Sequence, residues 1–455
     1  MKNFRNNVTL MMSAIVVFAF SISISSCNKD DETETPKSNT PSTTTSAEED
    51  AVAISFTTNN NTLENPGILS ANTLIPTNTL STGELPPLDG FYTQVNYKGA
   101  FGSTNWAAGW TYISGDKRTF DNTKPTKKIN DNSLTINTTL SKDTIYIIDG
   151  LVFIGNGETL TIEKGTVLKG KPGSGASASA LIIAKGGIIN AIGTATEPII
   201  MTYEGDDGTP QLSNVKGQWG GLILLGNARL NSSPGSTQIE GIPTNEPRGI
   251  YGGADDSDNS GTIKYVSIRH GGTDIGAGNE INGLTLGGVG SGTTIEYIEV
   301  VSNKDDGLEF FGGAPNAKHI ITAFCGDDSF DYDEGFRGKG QFWVTVQDEE
   351  SDRGGEHDGG TDPETATPYA TPVIYNVTYI GNGTSRAITF RDNAGGEYHN
   401  SIFYNFGKGI DIEDLTSGED SYSRFVNSDL KLKGNIFYEI GSGTTAYDIF
   451  TIAAQ

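Results

Sequence analysis

Two cysteines in 455 residues leave no material for a disulfide framework. Basic residues are scarce as well: 31 Lys and Arg stand against 56 Asp and Glu, with four His, for a net charge of −25. So acidic a chain repels phosphate backbones, which excludes nucleic acid as a partner and direct attraction to anionic surfaces. Cations, cationic groups and neutral glycans remain. Apolar segments are short and mostly lack helical periodicity. Glycine is plentiful, 59 in all, and it punctuates those segments in the manner of many short strands and tight turns.

The first 26 residues read as a processing signal. Lys2 and Arg5 precede Leu10 to Ile24, an apolar stretch too short and too serine-interrupted to span a membrane. "ISSC", ending at Cys27, resembles a bacterial lipobox, which implies cleavage before Cys27 and acylation of that cysteine; an ordinary secretory peptide is the alternative. "NKDDETE" after it resembles the surface-export signal of Bacteroidetes lipoproteins. The expectation is a lipid anchor in the outer membrane, facing outward, with residues 27–50 as a Thr/Ser-rich tether. Cys325 is then left single and reads as a small buried hydrophobe.

An internal repeat sets the fold class. "GTTIEYIEVVSNKDDGLEF" from Gly292 aligns with "APNAKHIITAFCGDDSFDY" from Ala314, so that Asp305, Asp306 and Glu309 meet Asp327, Asp328 and Asp331 at an offset of 22 residues. The same offset links "AITFRD" to "GIDIED". An apolar-x-x-apolar-x-apolar signature recurs at Ile263, Ile295 and Ile374, with Val344 and Val346 continuing it after Gln341. Several short strands per repeat, with no helical segment, predict a right-handed parallel β-helix: an all-β solenoid over 151–455, on the order of a dozen coils. Residues 51–150 read as an N-terminal segment whose Tyr97–Tyr112 stretch caps the open first coil. Two segments, 231–260 and 348–371, read as strandless insertions, where function tends to sit.

"GTATEPIIMT" resembles the coils of pectate-lyase-like β-helix proteins. "YKGAFGSTNWAAGWTY", "GQWGGLILLGNA", "GIYGGADDSDNSGTIKYVSIRHGG" and "DDGLEFFGG…DDSFDYDEGFRG" together resemble a family of Bacteroidetes and proteobacterial outer-membrane lipoproteins with no established activity. That resemblance implies an accessory role near TonB-dependent transporters.

Strand alternation in "GLEF" and "SFDY" sends Leu308, Phe310, Phe330 and Tyr332 inward, and Glu309 and Asp331 outward as a ladder that Thr389 and Asp411 extend. Stacked like charges need an offset: a bound cation, a basic neighbour or a raised pKa. Calcium suits them, with Asp305, Asp306, Asp327 and Asp328 as further ligands, although turn chemistry alone also favours aspartate there. Asp256 and Asp258 begin a calcium-loop pattern that lacks its closing acid. Tyr265, Tyr297, His319 and Trp343 fall at one position of successive coils, either an outward aromatic strip suited to sugar rings or a ladder covering the wall. For catalysis the candidates are Arg337, Lys339 and Arg353, with His357 as an alternative base, in a calcium-dependent polysaccharide lyase. Glu309 and Asp331 are the candidates in a glycosidase. The reading favoured is a surface binding protein for a glycan or a cation-bridged ligand; the enzyme and a structural or adhesive protein are the alternatives.

Overall fold

The computed structural model describes residues 45–68, 74–275, 280–360 and 363–454; Cys27, the signal and most of the expected tether lie outside them. Among the described residues, strands stack in parallel from Thr126 onward. Ten of them, from Leu151–Ile154 to Phe450–Ala454, form one sheet, and seventeen form a longer sheet. The chain is a parallel β-helix. It starts earlier than Leu151, because Thr126–Ile129, Asn137–Leu140 and Ile145–Ile148 already belong to the longer sheet.

The longer sheet turns a corner within single strands. Gly261–Arg269 pairs by its first half with Ile188–Ile192 and by its second half with Ile199–Tyr203. Between the halves Tyr265 takes φ 51°, and Tyr297, His319 and Phe342 repeat the bend at 55°, 59° and 60°. Left-handed backbone at a non-glycine residue costs about 1 kcal/mol or more, so something must hold these corners. Their rings supply part of it: Tyr265 stacks on Tyr297 at 4.3 Å, Tyr297 on His319 at 4.2 Å, and His319 on Phe342 at 5.0 Å.

The N-terminal segment supplies the rest. Trp110 packs edge-on against Tyr265 and Tyr297, and Trp106 against Tyr297 and His319. Glu299, buried in the wall, accepts the backbone N–H groups of Tyr112 and Ile113 at 2.8 and 3.1 Å and the Ser267 hydroxyl at 2.6 Å. The stretch expected over the first coil is therefore a strap along the flank of the middle coils. The reason is that the apolar outward row of Ile321, Val344 and Val346 needs cover and finds it in Ala100, Phe101, Ala107 and Trp110.

Before the strap comes a helix, Ala47–Thr58, which begins inside the expected tether. A reciprocal cap explains its start: Ser46 Oγ accepts from the Glu49 N–H at 3.1 Å, and Glu49 accepts from the Ser46 N–H at 2.8 Å. Its Phe56 packs on Phe437 and Phe450, so the helix covers the last coil.

Inside, inward rows make one continuous core. Trp343 is fully buried and stacks on Phe330 at 4.8 Å and Phe310 at 5.6 Å. It sits in register with Ile320, whereas Phe342 takes the outward ring position. Trp343 is thus not part of the outer strip.

Candidate functional site

The ten-stranded sheet carries one outward column in strict register: Ile182, Ile223, Thr285, Glu309, Asp331, Glu356, Thr389, Asp411 and Thr451. Its first part is apolar and lies under Ile239, Ile242 and Tyr251 of the 231–260 insertion. The middle is acidic. The expected ladder is present and gains Glu356, which lies on the short strand Glu356–Asp358 within a segment expected to be strandless.

These acids point away from the core yet are not solvated. Glu309 is 2 % and Asp331 4 % exposed. Asn282 holds Glu309 and, at 3.0 Å, Glu240 of the insertion, tying loop to sheet through one amide. Asp306 Oδ1 accepts the Asp328 N–H at 2.9 Å, and Asp328 Oδ1 accepts the Arg353 N–H at 2.6 Å. Each turn aspartate thereby clasps the next coil with one oxygen, which is the turn role, and keeps a second oxygen for other partners.

Asp306, Glu309 and Asp331 each bring a carboxylate oxygen within 4.8 Å of the others. Asp331 Oδ1 is buried and has no hydrogen-bond partner among the described residues. Burial first, and then the neighbouring carboxylates, pushes all three well above the usual carboxylate range. Glu240 is raised to about 7, Asp328 to about 7 and Asp305 to about 8, in each case chiefly by burial. A low-dielectric cluster of carboxyls has two ways to exist: protonated, or around a cation. Asp327, Asp328 and Asp352 form a second such group, more exposed, and Glu364, Asp392 and Glu413 a third. Asp305 lies half-buried at the rim of the first group.

Basic residues bound the acidic run. Arg353 reaches Glu356 at 3.1 Å and Asp328 at 3.6 Å, and Arg391 reaches Glu356 at 3.2 Å and Asp358 at 2.8 Å. The sequence pattern singles out neither Arg391 nor Glu356. The signal for both is the column, which a strandless reading of 348–371 interrupts.

The other candidates lie apart from this cluster. Arg337 is 2.9 Å from Asp256, which also takes Arg229, so the first acid of the calcium-loop pattern is consumed by two guanidiniums. Neither Asp256 nor Asp258 belongs to an acidic group of metal-binding geometry among the described residues. Lys339 lies on the longer sheet and pairs with Asp89 at 2.5 Å. His357 faces inward, stacked on Tyr332 at 4.0 Å and hydrogen-bonded to the Tyr398 hydroxyl at 2.7 Å; burial drops it to about 3. It is a core residue and not a base. His319 is likewise pushed to about 3 by burial and by Lys318. The rings of Tyr265, Tyr297 and His319 do form a column, but the strap occupies it, so it offers no sugar platform. Lys339→Ala is expected to cost under about 1 kcal/mol in chemical denaturation, as for an exposed pair, and to leave cation binding unchanged.

Parallel coils stacked in register define a β-helix solenoid. The chain belongs to the pectate-lyase-like β-helix family, whose model matches residues 132–453. No curated protein and no solved structure matches it. The family suggests a carbohydrate-related role, and the fold alone does not specify an activity.

Proposed function

We propose that the protein is a carbohydrate-binding protein that engages its ligand through a divalent cation, calcium by preference, held by Asp306, Glu309 and Asp331. The observation that carries this reading is the buried, unpartnered Asp331 Oδ1 within a trio of carboxyls. Calcium takes six to eight oxygens in flexible geometry, and three carboxylates with nearby turn carbonyls supply that kind of set. Half-buried Asp305 and Glu240 leave the rim open to a ligand oxygen. Acylation at Cys27 would display the solenoid on the outer membrane, beside a TonB-dependent transporter that takes up the captured glycan. A pull-down from outer membranes tests that placement.

Asp331→Asn keeps the shape and removes the charge. Calorimetric titration should show calcium binding to the native chain and at least tenfold weaker binding to the variant. Equal binding by both would remove the trio as the site. A calcium-dependent lyase is the second reading, favoured by Arg353 and Arg391 one coil from Asp331. An assay for unsaturated, ultraviolet-absorbing products from uronate polymers decides between the two.

A further inference from the structure

A cleft of about 410 Å³ opens between the N-terminal segment, from Thr57 to Lys98 at the start of the strap, and the late coils, on the longer sheet and not on the sheet that carries the acidic column. Thr57, Asn60, Thr82, Lys98, His399 and Lys433 line it. Most of its charges are already spent. Lys433 pairs with Glu84 at 2.8 Å, and His399 with Glu397 at 2.7 Å.

Lys98 differs. The residue is 3 % exposed, and its ammonium opens on the cleft and makes no hydrogen bond or ion pair with any described residue. Burial pulls its pKa down, with only the more distant charge of Glu64 opposing. A lysine this covered usually has a partner, because an ammonium that gives up part of its hydration needs something in its place. In a net acidic protein, an ammonium that opens on a cleft and that no described carboxylate meets in direct contact leaves room there for an outside anion.

The lining says what else the missing ligand carries. Thr57, Asn60 and Thr82 present hydroxyls and an amide, groups that both donate and accept and so match a chain or ring of hydroxyls. A second cleft of about 280 Å³ shares Ser81, Thr82 and Lys98 and continues past Tyr97, Leu80 and Phe101, giving an apolar wall beyond the cation. We propose that this strap cleft is a binding site for a hydroxylated carboxylate, a sugar acid, whose carboxylate pairs with Lys98 and whose hydroxyls meet the threonine and asparagine side chains. One lysine fits one carboxylate, and the surrounding acidity disfavours a polyanion.

The test is ligand protection of Lys98 in the full-length native chain, in EDTA so that no divalent cation can occupy the acidic face. Acetylation by acetic anhydride is followed at Lys98 by peptide mass spectrometry, with exposed Lys127 as the internal control. Gluconate is expected to slow Lys98 at least fivefold relative to Lys127. Glucose (the hydroxyls without the charge) and acetate (the charge without the hydroxyls) are expected to slow it less than twofold at equal concentration. Protection by glucose alone, protection by acetate equal to that by gluconate, or no protection by any of the three would overturn the proposal. Lys98→Met, checked by its melting curve, should lose gluconate binding tenfold or more in calorimetry, and retained binding would also overturn it.

Discussion

Raising the pH from about 5.5 to about 8 in EDTA is expected to lower the melting temperature by about 4–5 °C, and calcium is expected to restore most of the loss. The sign follows from the raised carboxyls. In the folded chain Glu240 and Asp328 titrate at about 7 and Asp305 at about 8, with the buried trio pushed upward too. Unfolded, each returns to about 4. Between those limits the folded state binds more protons than the unfolded one, so stability falls as pH rises. A tenfold difference in one group's proton affinity between folded and unfolded chain is worth about 1.4 kcal/mol, and mutual repulsion keeps the cluster from contributing as a simple sum. A net loss of about 4 kcal/mol is the scale expected, and it converts to several degrees for a chain of this size. Calcium binds the ionised cluster and not the unfolded chain, so at about a hundred times its dissociation constant it returns about 2.7 kcal/mol. Differential scanning calorimetry at the two pH values, with and without calcium, reads all of this. A melting temperature that is flat across the window would show that the carboxyls are not held protonated. A fall that calcium fails to reverse would show that they do not hold the ion.

Trp110→Ala is expected to cost about 3–5 kcal/mol, the usual range for a fully enclosed tryptophan. The loss should concentrate in the strap. The indole N–H donates to the Trp106 carbonyl at 2.9 Å, and the ring closes over the corner tyrosines. Limited proteolysis should then cut between residues 98 and 125 well before any coil is cleaved. Uniform loss of protection across all coils would mean instead that the strap and the solenoid unfold as one unit.

Sequence is most informative where one side of a strand meets the core and the other meets solvent or acid. Leu308 and Phe310 against Glu309, and Phe330 and Tyr332 against Asp331, reveal the stacking and the ladder at once. It misleads where both sides are covered. Phe342, Val344 and Val346 lie under the strap and Trp343 lies in the core, so alternation vanishes there. Counting the signature from Gln341 follows from that loss, although Gly340 is the residue in register with Ala317 and Ile374. The shift of one residue puts Trp343 outside and hides Phe342. Burial of the ladder is illegible for a related reason: the insertion that covers it has no strand pattern, and its fit depends on Asn282 and Glu240, distant in sequence from Asp331. His357 shows the limit of reading a base from composition. A histidine among glycines and acids looks chemical, while its strand parity sends it inward beside Tyr332.

The seat of the first helix has a consequence for how the chain becomes a folded object. Phe56 meets Phe437 and Phe450, and Asn61 exchanges hydrogen bonds with Leu432 and Asn435, nearly four hundred residues downstream. Coils can zip onto their neighbours one after another, each closing a short loop. The helix cannot join until the last coil exists, which makes it the contact of longest sequence separation and the slowest to form. The earliest described part of the chain is therefore the last to dock. Until the final coil is in place, the solenoid stays open-ended, and its own beginning acts as the stopper.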